Sequence, residues 1–438
     1  MGEILKPGQV VQMITSGSPC TVKKFLGGGG QGEVYLADLD GQDMALKWYF
    51  PHQATAYQRE ALETLIKMGQ PNDKFLWPLQ LSESPDVPGF GYIMPLRTAR
   101  FKGIVDLMKR RIEPSFRALA TAGLILADSY YQLHAKGLCY RDISFGNVFF
   151  DPHTGETLVC DNDNVAIDGH AQGGILGTPR FMAPEVVRGE ALPSSHTDLF
   201  SLAVLLFYMF MVHHPLEGKR ETAIKCLDLP AMNKLYGTEP LFIFDPNDTS
   251  NAPLPGHHDN ALAFWPLYPQ FLRARFTEAF TVGLLTPEKR VRETVWRGDM
   301  VRLRDAILYC AACGVENFYD IDTLRTNNTL APCWGCGATL HTPPRLRIED
   351  RIIMLNHDTQ LFPHHVDDAR MYDFTQPIAE MSQHPNDPQI WGLKNLSDIK
   401  WVITTAEGTV SDVESGRSAR LAVGTRINFG KKEGEIRV

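Results

Sequence analysis

The chain has no block of lysine and arginine: 43 basic residues stand against 51 acidic ones, for a net charge of −8. Nucleic acid and anionic membrane surfaces attract clustered positive charge, so neither is expected as a partner. Long apolar runs are also missing. The most apolar stretch, Leu199 to Val212, is interrupted by Ser201 and is too short for a bilayer span, so it is expected to be a buried helix. No basic-then-apolar segment of secretory type opens the sequence. Cysteine is sparse. Of eight, Cys20, Cys139, Cys160 and Cys226 are scattered, while Cys310, Cys313, Cys333 and Cys336 form two C-x-x-C pairs. Without a secretion signal the scattered thiols are expected to be reduced and the chain cytoplasmic, and the paired set suggests metal.

What is present centres on Tyr140-Arg141-Asp142-Ile143-Ser144-Phe145-Gly146-Asn147, followed at Leu158-Val159-Cys160-Asp161 by an apolar run that ends on an acid. Phosphoryl transfer needs a carboxylate at the attacking hydroxyl and an amide plus a second carboxylate on magnesium; Asp142, Asn147 and Asp161 supply those groups. Upstream, Gly27, Gly29 and Gly32 fit G-x-G-x-x-G, with Val34 two residues on. Such a hairpin lies close over phosphates without Cβ clashes, or is simply a flexible turn. Met44 to Tyr49 reads as a strand carrying Lys47, and Tyr57 to Lys67 has helical composition with Glu60 and Glu63. Gly91 to Leu96 reads as a further strand. Pro114 to Ala135 has apolar residues at helical spacing and ends near His134, expected to pack or cap rather than catalyse.

Further on come Gly177-Thr178-Pro179-Arg180-Phe181-Met182-Ala183-Pro184-Glu185, then Asp198 at the head of the apolar run, then Pro287-Glu288-Lys289-Arg290. Together, from about Cys20 to Leu308, these segments resemble the eukaryotic-like Ser/Thr protein kinase family. The resemblance implies an α+β bilobal fold that uses ATP with Mg²⁺ or Mn²⁺ on a protein substrate. It implies Gly27, Gly29 and Gly32 over the phosphates, and Val34, Ala45, Met94 and Leu96 around the adenine. Lys47 would hold the α/β-phosphates, paired with Glu60 or, in reserve, Glu63. Asp142 would accept the hydroxyl proton, Asn147 and Asp161 would hold the metal, and Thr178 would hydrogen-bond Asp142. Glu185 would pair with Arg290, and Asp198 would open a buried helix.

The departures from the family pattern are specific. Tyr140 stands where the family usually has His, a supporting position. Ser144 stands where Ser/Thr kinases place a lysine on the transferred phosphate, and loss of such a contact lowers the rate on the order of a hundredfold. Gly146 lacks the arginine typical of tyrosine kinases, which leaves the hydroxyl preference open. Asp161-Asn162-Asp163 replaces D-F-G: Asn162 does not fill an apolar spine as Phe would, and Asp163 is expected to cap a turn rather than join the metals. From Asp161 through Gly177 there is no Ser, Thr or Tyr, so a phosphate paired to Arg141 has no acceptor on this loop. Ser144 and Asn162 favour a rival reading, a pseudokinase scaffold; retention of Lys47, Asp142, Asn147 and Asp161 together outweighs it. A small-molecule kinase is disfavoured by Ala183-Pro184-Glu185, Asp198 and Arg290. The Pro- and aromatic-rich stretch from Pro240 to Phe280 is expected to be a packed loop, with His257 and His258 solvated.

The later cysteines give C-x2-C-x19-C-x2-C, two tight turns that close a tetrahedral site for which Zn²⁺ is the usual ion. The site is expected to be structural, folding a small zinc ribbon. After Thr342-Pro343-Pro344-Arg345, short apolar stretches at 351–355, 390–393, 400–403 and 425–430 alternate with turn residues, the pattern of an antiparallel β-sandwich. Trp391 to Ser397 and Gly424 to Gly430 resemble the second half of a forkhead-associated (FHA) domain, without the phosphothreonine-binding pattern at its usual loops; Gly416-Arg417-Ser418 comes too late. The expected organisation is thus multi-domain: kinase N-lobe 1–97, C-lobe 98–308, zinc ribbon 309–341 and an all-β FHA-like sandwich 346–438. This combination resembles the bacterial kinase of the TerY-phosphorylation triad, linked to stress and tellurite resistance. That resemblance implies a PPM-type phosphatase and a von Willebrand A (TerY-like) protein as partners.

Overall fold

The computed structural model describes residues 3–169 and 176–438, so 170–175 of the hydroxyl-free stretch lie outside the described residues. The chain divides into two compact units. The first comprises Met1–Pro114, Thr121–Leu262 and Arg275–Trp296, and the second comprises Ser115–Ala120, Ala263–Ala274 and Arg297–Val438.

The first unit is organised by side-chain alternation along the strand that carries Lys47. Its strands are β1 (Val10–Met13), β2 (Pro19–Gly28), β3 (Gly32–Leu39), β4 (Gln42–Tyr49), β5 (Gln80–Glu83) and β6 (Gly91–Pro95), which close a barrel in the order β1-β2-β3-β4-β6-β5. Successive residues of a strand point to opposite faces. Met44, Leu46 and Trp48 therefore enter the barrel core with Tyr35 and Ile93, while Ala45 and Tyr49 join Leu62, Tyr92 and Met94 on the other face. The possible leading strand within residues 1–20 is β1, which closes the barrel by pairing with both β2 and β5.

Helix α1 (Ala56–Met68) lies on that second face. Thr55 caps it by accepting a hydrogen bond from the Gln58 amide, and Gly69, at φ 71°, ends it. Its buried residues are Leu62 and Leu65, so the inward stripe runs through Gln58, Leu62 and Leu65 at i, i+4 and i+7. Glu60 and Glu63 fall outside that stripe and are exposed.

The helix Ser195–Met211 is buried from Thr197 to Met211, as its composition predicts. The stretch after it is packed, with Phe242 5.8 Å from Phe207 and 5.3 Å from Phe280, but it is not the expected loop throughout, since it forms the helices Asp259–Phe264 and Gln270–Phe280. His258 departs from expectation. It is buried rather than solvated, because its Nδ1 accepts a hydrogen bond from the Leu254 amide at 2.7 Å and its ring lies 5.1 Å from that of His213; His257 is exposed.

In the second unit a short hairpin, Ile307–Tyr309 with Glu316–Phe318, precedes two antiparallel sheets. One has six strands in the order 351–354, 345–348, 433–437, 426–428, 401–404, 410–413; the other has four, in the order 360–361, 379–384, 387–395, 418–420. Leu346, Ile353, Leu393, Trp401, Ile427 and Phe429 share one core. The apolar stretches read from the sequence all contribute strands to these sheets. Asn395, fully buried, ties two loops by donating to the Ile399 and Val413 carbonyls while accepting from Ser397.

Candidate active site

The loop after the strand Leu138–Cys139 is shaped by Asp198, whose carboxylate accepts the amides of Tyr140 (2.5 Å) and Arg141 (3.0 Å). Arg141 takes a left-handed backbone at φ 73°. Tyr140 is fully buried, with its ring 5.7 Å from Tyr130 and its hydroxyl donating to the Cys160 carbonyl, a supporting role as the sequence suggests. His134 is wedged between Asp198 and Glu293.

These supports present the Asp142 carboxylate with both oxygens engaged. Oδ1 accepts from Thr178 Oγ1 at 2.8 Å, and Oδ2 accepts from Asn147 Nδ2 at 3.0 Å. Burial pushes the Asp142 carboxyl above its ordinary value, opposed by those two hydrogen bonds. The Cys160 amide, one residue before Asp161, donates to the Asn147 carbonyl at 2.8 Å. Asp161, at φ 49°, leads into the turn Asn162–Asn164. Asn162 is completely buried and donates to the Val159 carbonyl at 3.0 Å, a polar anchor in place of an apolar one.

The turn corrects two expectations. Asp163 does not merely cap it. Its buried carboxylate meets Lys47 Nζ with both oxygens, at 3.0 and 2.8 Å, and accepts from the Tyr49 hydroxyl. Glu60 does not pair with Lys47. It lies two residues from Gln58, about 200° around the helix, and Gln58 is the α1 residue that faces the site. Glu63, the reserve, pairs with Arg59 on the surface. Gln58 Nε2 donates to Tyr49 Oη at 3.1 Å and to the Asp163 carbonyl at 3.4 Å. Burial works against ionising both members of the pair. Mutual attraction outweighs it, holding Lys47 above and Asp163 below their ordinary values.

The glycine-rich turn between β2 and β3 covers this pair. Gln31 at its tip accepts from Lys47 Nζ at 3.0 Å and donates to Asn164 Oδ1 at 3.2 Å. A Cβ at Gly27 or Gly29 would meet nothing within 4 Å, whereas one at Gly32 would collide with the Trp48 carbonyl. The pairing of β3 with β4 thus requires glycine at 32, and the protein itself leaves 27 and 29 open. Val34, Ala45, Met94 and Leu96 belong to one apolar cluster on the same face as Lys47.

Downstream, Arg290 is buried and grips Glu185 through two 2.7 Å bonds. Arg180, two residues past Thr178, is held by Glu217, which also accepts from Tyr236 at 2.6 Å. Asp163, Gln58, Gln31 and Glu217 were not singled out as site residues. Tyr49 was legible in principle, being two residues from Lys47 on the same strand face.

In the second unit four cysteines converge. The ligand atoms of Cys310, Cys313, Cys333 and Cys336 all lie within 4.8 Å of one another. Sγ–Sγ separations of 3.7 Å (Cys310 to Cys336) and 3.6 Å (Cys313 to Cys333) are far above the roughly 2.05 Å of a disulfide. They match the edge of about 3.8 Å expected for a tetrahedron with metal–sulfur bonds of about 2.3 Å. Two matching turns present them: Gly314 donates to the Cys310 carbonyl and Gly337 to the Cys333 carbonyl, each at 2.8 Å with the glycine at φ 74°. The donor set fits a metal.

Residues 95–261 match the family model described as protein kinase domain, and the chain carries such a domain. It is 28% identical over 210 residues to the DNA damage-responsive serine/threonine-protein kinase RqkA of Deinococcus radiodurans, covering 46% of this chain and 31% of that protein. It is 27% identical over 221 residues to the probable serine/threonine-protein kinase PknB of Bifidobacterium longum, covering 46% and 31%. It is 27% identical over 224 residues to protein kinase C delta type of Mus musculus, covering 46% and 30%. The chain therefore spans less than a third of the length of these curated relatives. Among the described residues no helix is long and apolar enough to cross a membrane.

Proposed function

We propose that the chain is a protein kinase that transfers the γ-phosphate of ATP to Ser or Thr hydroxyls of a protein. The observation that carries this reading is the Asp142 carboxylate, held by Asn147 and Thr178. Asn147 and Asp161 would hold Mg²⁺ or Mn²⁺, which when bound neutralises charge on the β- and γ-phosphates. Lys47 would bind the α/β-phosphates beneath Gly27 and Gly29, with Val34, Ala45, Met94 and Leu96 against the adenine. Asp142 orients the substrate hydroxyl and accepts its proton as that oxygen bonds to the γ-phosphorus and the bond from phosphorus to the β–γ bridging oxygen breaks, releasing ADP. With Ser144 in place of lysine, one positive contact to the transferred group is missing.

The experiment is transfer of labelled γ-phosphate, with Mg²⁺ or Mn²⁺, to the chain itself and to a basic protein, alongside Asp142→Asn. Transfer lost in the variant supports the kinase. ATP binding without transfer supports the second reading, a nucleotide-binding scaffold, which the Gln31 cover on Lys47 favours.

The remaining assignments belong to the same proposal. Cys310, Cys313, Cys333 and Cys336 would hold Zn²⁺, which supplies a cross-link that a small ribbon cannot replace with a core of its own. The two-sheet region would be an FHA-like sandwich, and the boundaries 1–97, 98–308, 309–341 and 346–438 would separate the lobes, ribbon and sandwich. A cytoplasmic signalling setting of stress or tellurite-resistance type, with a PPM-type phosphatase and a TerY-like protein as partners, rests on resemblance alone.

A further inference from the structure

The two carboxylates near Lys47 are unequal. Asp161, with a side chain 42% exposed, stands 3.6 Å from Nζ; Asp163, with a side chain of zero exposure, engages Nζ with both oxygens. Three protein groups hold Asp163 in place. The Tyr49 hydroxyl donates to its carboxylate, Gln58 donates to its carbonyl, and Arg141 Nε ties the turn to the catalytic loop through the Asn164 carbonyl at 2.6 Å. Helix α1 offers no acid to the lysine among the described residues.

A buried ammonium needs a carboxylate, and a bidentate contact fixes its position as well as its charge. The remaining Nζ bond, to the neutral Gln31 amide, is one that a phosphate oxygen can replace without leaving a buried charge unpaired. Asp161 keeps its exposed carboxylate for other ligands. We infer that Asp163 is the residue that positions Lys47 for nucleotide phosphate, doing from the turn after Asp161 what an acid on α1 would otherwise do. The inference rests on the nucleotide-binding reading of Lys47. It removes the need for α1 to move for the lysine to be set.

The test is ATP affinity of the full chain by titration calorimetry, in Mg²⁺ and in EDTA, with melting curves in parallel. Asp163→Asn is expected to weaken ATP about tenfold in both media, as loss of a buried charge partner does. Adding Gln58→Glu, which puts a carboxylate on the α1 face that meets Tyr49 and the Asp163 turn, is expected to recover part of that loss, and Glu60→Gln to change nothing. Unaltered affinity in Asp163→Asn, a loss confined to Mg²⁺, no recovery in the double variant, or a comparable loss in Glu60→Gln overturns the inference. Should Asp163→Asn fail to fold, Tyr49→Phe carries the test: about threefold weaker binding supports it and unchanged binding overturns it. Wild-type chain that binds ATP but transfers no phosphate refutes the kinase reading alone, and wild-type chain that does not bind ATP refutes both.

Discussion

Thr178 Oγ1 donates a 2.8 Å hydrogen bond to Asp142 Oδ1, so the first hydroxyl after Asp161 fixes the Asp142 carboxylate. Losing that bond loosens the carboxylate, which keeps Asn147 and the Thr178 backbone as its partners. Thr178→Val is expected to lower phosphate transfer roughly ten- to hundredfold, the range that small misplacements of a reacting group produce. Thr178→Ser retains the oxygen and is expected to retain most of the rate. Equal rates for the valine and serine variants would show that the bond does not matter.

The loop between Asp161 and Thr178 has no hydroxyl to phosphorylate, and Arg141, the residue positioned to receive such a phosphate, spends its Nε on the Asn164 carbonyl. Transfer activity is therefore expected to survive exhaustive phosphatase treatment of the purified chain. Loss of transfer on that treatment, regained on rephosphorylation, would refute this.

The part of this geometry that short motifs carry is legible in the sequence, and the parts that are not legible share a cause. Asp142, Asn147 and Asp161 sit within short motifs whose spacing constrains the backbone, and Asn147 meets Asp142 while Lys47 lies near Asp161. The cysteines were readable because two tight turns per site leave little freedom. Glu60 was misread because an acid next to Arg59 says nothing about helix phase; burial of Leu62 and Leu65 sets the phase and turns Gln58 inward. Asp163 was misread because turn residues exchange solvent for burial only when a partner waits, and that partner, Lys47, lies 116 residues away. His258 follows the same rule, since its environment comes from His213 on another segment.

The sulfur cluster gives a prediction that is independent of catalysis. The purified chain is expected to carry one Zn²⁺ per molecule by elemental analysis. Cys333→Ser, which removes a buried ligand, is expected to lose that ion and to lower the melting temperature. A strong chelator should reproduce both effects on the wild-type chain and neither on the variant. A metal content near zero in chain purified without chelator, with an unchanged melting curve for the variant, would argue for a metal-free cluster of thiols.

His134 lies between two acids, Glu293 and Asp198, the latter beneath the loop that carries Asp142. Burial opposes the charged ring, but hydrogen bonds to both carboxylates outweigh it and push the ring up to about 9 from 6.5. A folded-state value above the unfolded one means that the stabilisation is fully present below about pH 6.5 and is lost as pH rises through about 9. The shift corresponds to about 3.5 kcal/mol at most, at about 1.4 kcal/mol for each pH unit. His134→Gln keeps hydrogen-bonding capacity but carries no charge. Its melting temperature is expected to fall well below that of the wild type near pH 6 and to approach it near pH 9.5. Because the Asp198 carboxylate holds the amides of Tyr140 and Arg141, the same variant should also loosen amide-exchange protection at those two positions at the lower pH. A difference in melting temperature that stays constant across this range would mean that the ring is neutral in the folded chain and that Asp198 keeps the loop in place without it.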